Sequence, residues 1–306
     1  MKKVILMAAL AAGVFSSCNN NELEGVQSNE ANKVSINAVI EGSESRAGFT
    51  SKNAWQNNDK LGLYMYKSTG WGEAYPKFTS QNNEATKNSG GWSLAADMFL
   101  TSEKAHVYAY YPYSSKTLDG TKVAVQAGST DYMWGKSNEI SVANPVATIA
   151  MKHALAQFVL RLKVSPDYTN PGVMSAASVK ATQNKFATEG TMNLNDNGKI
   201  TFTPVKTELS WQPNTAIPTV GPTPVDYAAA VFPISFNRDE ATINITIDNV
   251  PYKYNIPAIK WEAGKRYIYS VSLSSNGAQI GGEDGSKVTI EPWTDSVTDI
   301  ELTPAK

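Results

Sequence analysis

The stretch MKHALAQFVLRLKV, residues 151–164, decides whether this part of the chain is helical or extended. In a helix, apolar residues from Ala154 to Leu162 would share one face. From Phe158 to Val164, however, apolar residues take every second position, and polar residues stand at 157, 161 and 163. An alternation of period two is typical of a β-strand. We therefore predict a strand from about Ala156, with a single helical turn before it as a possible start.

The sequence on both sides of this stretch has the same character. Short runs rich in β-branched and aromatic residues recur between clusters of Gly, Asn, Ser and Pro, from 34–40 near the start to 288–290 near the end. Turn signals such as Asp119-Gly120 separate them. Many short strands at this spacing predict an all-β protein built from β-sandwiches. A stretch with Pro and Gly after Ser165 predicts a domain boundary there.

The composition excludes several classes of site. The chain has 306 residues, one Cys and two His, so we predict neither a Cys/His zinc site nor a disulfide within the chain. Lys+Arg 27 against Asp+Glu 28 leaves no basic excess for a phosphate backbone. We therefore predict no metal, no cofactor and no nucleic-acid partner.

The first residues, MKKVILMAALAAGVFSSC (1–18), read as an export signal. The lone Cys18 directly after the apolar run resembles the lipobox of bacterial lipoproteins, in which the Cys carries the lipid. We predict a signal peptide at 1–17, a lipidated (palmitate-bearing) Cys18, and a polar tether after it. The alternative is ordinary secretory cleavage that leaves Cys18 as a free thiol.

Residues 34–40 predict a first strand with one buried face. The inward positions of this strand would be Val34, Ile36, Ala38 and Ile40. A polar run that contains Arg46 follows, and exposed runs of small polar residues are where proteases cut. Loss of the strand would expose apolar core and an unpaired sheet edge. On its own, Arg46 would be a solvated loop arginine.

We find no catalytic motif. His106 and His153 have no partner evident in the sequence, and we expect His153 to make a local hydrogen bond. The stretch from Asp131 to Gly135 comes nearest to a carboxylate beside aromatic residues, and a glycosidase pair remains open. Exposed tryptophans could stack on sugar rings, but we expect them to fill or cover cores; they are Trp71, Trp92, Trp134 and Trp211.

Four features in order resemble the fimbrillin family, the lipidated pilus subunits of Gram-negative anaerobes. The first is the lipobox with its tether, and the second is ESRA (44–47) followed by DKLGLY (59–64), where Asn58 replaces the usual Gly. The third is MKHALA (151–156), similar to an HAxA signature. The fourth is the alternating block from Trp261 to Leu273, followed by Ile-x-Pro-Trp at 290–293.

The resemblance implies two tandem transthyretin-like β-sandwiches, at 47–165 and 166–306, after a removable segment at 18–46. It implies that an Arg-specific protease cuts between Arg46 and Ala47. The cut would free the first strand, and a donor strand from a neighbouring subunit would then fill its place. The runs 288–290 and 298–303 are candidate donors, with ordinary edge strands as the equal alternative.

The implied function is that of a structural and adhesive subunit of a type V pilus, not an enzyme. Its implied partners are other fimbrial subunits, the Arg-specific protease and the lipoprotein export machinery, with host or bacterial surface ligands in addition. Its implied location is the outer membrane and the cell surface. The alternative is a surface lipoprotein that binds glycans and does not polymerise.

Overall fold

A computed structural model describes residues 32–41, 54–76, 78, 81–211, 215–216, 225–275, 277–280 and 288–292. Within these ranges the regular structure consists of β-strands, and no α-helix occurs. The predicted all-β fold class is therefore confirmed. No helix in the described ranges is long and apolar enough to cross a membrane.

The strands follow one another in short steps along the chain. They are β1 (Ser35–Ile40), β2 (Lys60–Lys67), β3 (Asn83–Asn88), β4 (Gly91–Leu94), β5 (Ala105–Tyr111), β6 (Val123–Gln126), β7 (Met133–Lys136), β8 (Val146–His153), β9 (Ala156–Val164), β10 (Val173–Ala181), β11 (Glu189–Asn193), β12 (Lys199–Thr201), β13 (Glu208–Trp211), β14 (Thr215–Ala216), β15 (Val225–Val231), β16 (Ile234–Phe236), β17 (Ala241–Ile247), β18 (Val250–Asn255), β19 (Ile259–Trp261), β20 (Lys265–Ser274), β21 (Gly277–Ile280) and β22 (Val288–Pro292).

In the described part of the chain, the first sheet has seven strands in the order β1-β8-β7-β5-β2-β3-β4. β1 and β4 are its two edges, and β1 pairs with β8 in parallel. Alternate side chains of these strands point to one face, as the pleat requires. They form the first core, which includes Leu61, Leu63, Val107, Ile149 and the inward side chains of β1.

Two further sheets enclose the second core. One has the order β15-β9-β20-β21, with β22 also on β20, and the other has the order β13-β10-β17-β18, with β14 on β10. Phe158, Ile243, Trp261 and Tyr269 are buried between them. The Trp261 indole lies 3.2 Å from the Tyr269 hydroxyl, so this buried polar pair is satisfied internally.

A three-stranded sheet, β12-β11-β6, joins the earlier and later parts of the chain. β6 pairs with β11 in antiparallel fashion, and Gly128 bridges to Ala230. A third cluster of buried side chains lies beneath this sheet, with Tyr64, Tyr110, Val125 and Met192 among its members. Contacts between the two parts of the chain are therefore apolar as well as hydrogen-bonded.

The prediction for residues 151–164 is confirmed in its main part. β9 begins at Ala156, but residues 151–153 complete β8 and form no helical turn, because the ladder of β8 extends to His153. β9 pairs with β15 and β20, and its side chains at 156, 158, 160 and 162 belong to the second core. The ranges 47–165 and 166–306 remain predictions, and the pairing of β9 favours grouping it with the residues that follow it.

Candidate functional site at the first strand

Among the described residues, one ladder, to β8, holds β1 in the first sheet. Ser35 N donates to Pro145 O at 3.0 Å and Glu41 N donates to Met151 O at 2.9 Å. In a parallel ladder the polar groups of alternate residues point to the same side. The backbone groups of Asn37 and Val39 therefore also face β8, and those of Ile36, Ala38 and Ile40 face the outer edge.

The side chains of β1 alternate as the sequence predicts. Val34, Ile36, Ala38 and Ile40 are between 2% and 9% exposed and belong to the first core. Ser35, Asn37 and Val39 are exposed on the other face. β1 thus contributes apolar side chains to the core although it lies at the edge of the sheet.

The outer edge of β1 is only partly covered. Before the strand begins, Val34 N donates to Met98 O and Leu100 N donates to Asn32 O, both at 2.8 Å. Farther along, the Trp55 indole Nε1 donates to Ala38 O at 2.8 Å. Among the described residues no strand forms a ladder on this edge. An edge of this kind is a template for another chain.

Two concave surfaces lie beside β1. A groove of about 480 Å³ separates β1 from β4 and is lined by residues 33–36 and 90–94. A cleft of about 560 Å³ lies where β1 ends and is lined by Glu41, Trp134, Lys152 and Phe202 among others. Glu41 and Lys152 form an exposed ion pair of 3.5 Å across its rim. If β1 were removed, Glu41 would leave this cleft with it. The cleft would then be continuous with the space that β1 had occupied beside β8.

Three of the predicted site residues lie outside the described residues. They are Cys18, Arg46 and Ala47. Glu41 is the last described residue before Arg46. The predicted roles of these three residues therefore stay predictions.

His153 bonds to a residue that is distant in sequence. Its Nδ1 lies 2.9 Å from Asp131 Oδ1, and both side chains are buried. Met133 pairs directly with His153 across β7 and β8, and Asp131 precedes Met133 by one full pleat. The sequence predicts a local hydrogen bond for His153, and this bond joins it to a residue 22 positions away. The pair therefore lies at the last residue of β8 and is buried inside the protein.

Replacement of Asp131 by Ala should lower the free energy of unfolding by roughly 1.5–3 kcal/mol, the range for a hydrogen bond to a charged group. The reason is that a buried nitrogen of His153 loses its acceptor. Asp196→Ala is a matched control, because Asp196 is exposed and forms a 3.4 Å ion pair with Lys199. Urea denaturation of the two variants measures the difference. Equal midpoints would show that the buried pair does not stabilise the fold.

The tryptophans pack against the body of the protein. The Trp71 ring lies 4.4 Å from Tyr66 and 4.8 Å from Tyr108, centroid to centroid. Trp92 packs on Trp55, Trp134 is covered by Gly198 and Lys152, and Trp211 stacks on Phe158. All four are partly exposed at most. Their packing matches the expectation that they fill or cover cores.

No group of three or more metal-ligating side chains occurs in the described ranges. Trp55 carries no signal in the sequence that marks it as a functional residue. Its partner Ala38 lies on a separate strand, and the bond is to the backbone, so no local pattern predicts it.

The family of this chain is shown by a match to a known protein family. A family model described as fimbrillin-like matches residues 45–293. The chain belongs to the fimbrillin-like family. The predicted resemblance is therefore confirmed, and the matched range includes the motifs at 59–64, 151–156 and 261–273.

Solved structures of putative cell adhesion proteins and of a fimbrial protein share the fold. A putative cell adhesion protein from Bacteroides uniformis is 17% identical with a TM-score of 0.61, and the match covers 87% of this chain and 100% of that one. One from Bacteroides ovatus is 17% identical with a TM-score of 0.60, covering 87% and 98%. A fimbrial protein from Bacteroides vulgatus is 14% identical with a TM-score of 0.53, covering 86% and 100%. No curated protein matches the chain.

Proposed function

We propose that this fimbrillin-like chain is a structural and adhesive subunit of a cell-surface fimbria, assembled by release of β1 and its replacement by a strand of a neighbouring subunit. One observation carries the proposal. β1 is an edge strand that fills the first core, so its removal would leave both an apolar groove and a free edge on β8. These are the two features that bind an incoming strand.

The replacement strand would restore what β1 supplies. Its backbone would bond to β8, and its alternate apolar side chains would occupy the positions of Val34, Ile36, Ala38 and Ile40. A donor that runs parallel to β8, as β1 does, would keep the register of these positions.

The two candidate donor runs differ in their surroundings. β22, which contains 288–290, pairs with β20 over residues 265–269 and so is used within its own sheet. This pairing favours 298–303 as the donor. That run lies outside the described residues.

Cleavage between Arg46 and Ala47 by an Arg-specific protease would detach β1 covalently. Arg161 on β9 and Arg266 on β20 lie on strands that are paired on both sides, so their backbone is not open to a protease. Arg238 is exposed in the turn before β17 and is the competing position. Export as a lipoprotein with lipid on Cys18 would place the precursor on the outer membrane before assembly.

The test uses residues 19–306 with Arg238→Gln, treated with a trace of Arg-specific protease. We expect filaments in electron micrographs and a detergent-resistant ladder on unboiled gels. The matched control carries Arg46→Ala in addition and should stay monomeric. A cut protein that remains a monomer with β1 bound would contradict strand exchange.

The packing of Trp71, Trp92, Trp134 and Trp211 weighs against the alternative of a glycan-binding lipoprotein. Stacking on a sugar requires an open aromatic face.

A further inference from the structure

We propose that Trp55 is a backbone clamp for whichever strand lies beside β8. This inference rests on the proposed function, because a clamp of this kind matters when one strand replaces another. In the structure it holds β1 through the Trp55 indole N–H and the Ala38 carbonyl, 2.8 Å apart.

The indole makes two ring contacts with residues that are not part of β1. Its ring meets Trp92 of β4 at 5.1 Å and an angle of 81°. It also meets Tyr111 of β5 at 5.5 Å and 65°. Edge-to-face contacts of this kind fix the orientation of a ring. The N–H is therefore aimed at the outer edge of the place beside β8.

The clamp recognises backbone and not a side chain. The Ala38 carbonyl points away from β8, so it is not part of the ladder that holds β1. Any strand that runs parallel to β8 in the register of β1 presents a carbonyl at this point, whatever its sequence. The bond therefore adds stability without restricting which related subunit supplies the strand.

Trp55 also lies on the side of Arg46 that stays with the fold. Cleavage would separate β1 from Trp55 covalently and leave their hydrogen bond intact. The same N–H would retard loss of β1 after the cut and would hold the incoming strand once exchange is complete. Trp55 is thus a positioning residue for strand exchange.

Replacement of Trp55 by Phe keeps an aromatic ring and removes the donor. One net hydrogen bond changes a local equilibrium on the order of fivefold. Trp92→Phe is the matched control, since it trims the same aromatic group, and among the described residues the Trp92 indole makes no hydrogen bond to β1. Loss of packing alone would affect both variants.

The first measurement uses uncut residues 19–306 and follows hydrogen exchange in peptides that cover residues 32–41. We expect exchange to be on the order of fivefold faster with Trp55→Phe than with Trp92→Phe. Urea midpoints of both variants report global stability and should stay close to each other. Equal exchange rates in the two variants would overturn the clamp.

The second measurement cuts both variants at Arg46 in the Arg238→Gln background and follows loss of the fragment 19–46 by gel filtration, with a synthetic peptide of residues 32–46 as competitor. Faster loss with Trp55→Phe supports both proposals. A difference in hydrogen exchange without any loss of the fragment would uphold the clamp and contradict strand release. A failure of the clamp can therefore be distinguished from a failure of strand release.

Discussion

Replacement of Ile36 by Asp should detach the first strand from an otherwise folded protein. Ile36 is 9% exposed, and its side chain lies in the first core. Loss of a buried Ile side chain costs roughly 1.5–3 kcal/mol, and an unpaired carboxylate in an apolar core costs more. β1 lies at an edge and has one ladder, so the strand should leave while the remaining six strands of the sheet stay paired.

Asn37→Asp is the matched control, because Asn37 is the next residue and faces solvent. We expect hydrogen exchange and limited proteolysis of residues 32–41 to rise sharply with Ile36→Asp and to change little with Asn37→Asp. If release of β1 is the step that permits assembly, Ile36→Asp should also form polymers without protease. If residues 32–41 of Ile36→Asp were protected from hydrogen exchange and proteolysis as well as in the parent chain, the inward side chains would not be what retains β1.

The strands that the sequence predicts correctly are those with a local signal. β1 alternates in burial as it does in polarity, because the pleat turns a period of two into a one-sided surface. β9 also buries its predicted face, but residues 156–160 are buried on both faces of the strand. The resemblance to fimbrillins rests on short motifs in order, and the family match confirms it. Burial of one face of the first strand therefore follows from the alternation of residues 34–40 alone.

Other parts of the site depend on contacts between distant residues. Asp131 meets His153, Trp55 meets Ala38, and β6 pairs with β11. No periodicity or spacing encodes such pairs, because the chain must fold before the partners meet. The prolines after Ser165 do mark the end of β9, but which sheet β9 joins is decided by its ladders to β15 and β20.

Replacement of Gly62 by Ala, which adds one methyl group, should cause a large loss of stability. It lies on β2 within the motif at 59–64, and a Cβ at this position would be 2.0 Å from Tyr110 Cε1 and 2.4 Å from Tyr110 Cζ. Overpacking of this kind costs typically 1–3 kcal/mol, and sometimes more. Tyr110 itself is fully buried, so its ring has nowhere to move without displacing other core residues.

The hydrogen bonds of the Tyr110 hydroxyl also oppose a movement of the ring. It donates to Asn82 Oδ1 at 2.7 Å and accepts from Ser114 N at 3.1 Å. Burial raises the pKa of Tyr110, so the hydroxyl keeps its proton and remains a donor. A shift of the ring would break these bonds and leave buried polar groups without partners. We therefore expect Gly62→Ala to lower the free energy of unfolding by about 3 kcal/mol or more.

Gly70→Ala is the control, since nothing lies within 4 Å of a Cβ at that position. Urea denaturation should show a change within about 0.5 kcal/mol for Gly70→Ala. A double-mutant cycle then identifies the cause, because a Tyr110→Ala background removes the ring and leaves Asn82 Oδ1, 2.7 Å from the added Cβ, as the nearest remaining atom. Gly62→Ala should cost much less there. The same cost in both backgrounds would mean that Gly62 is required by the strand itself and not by the ring above it.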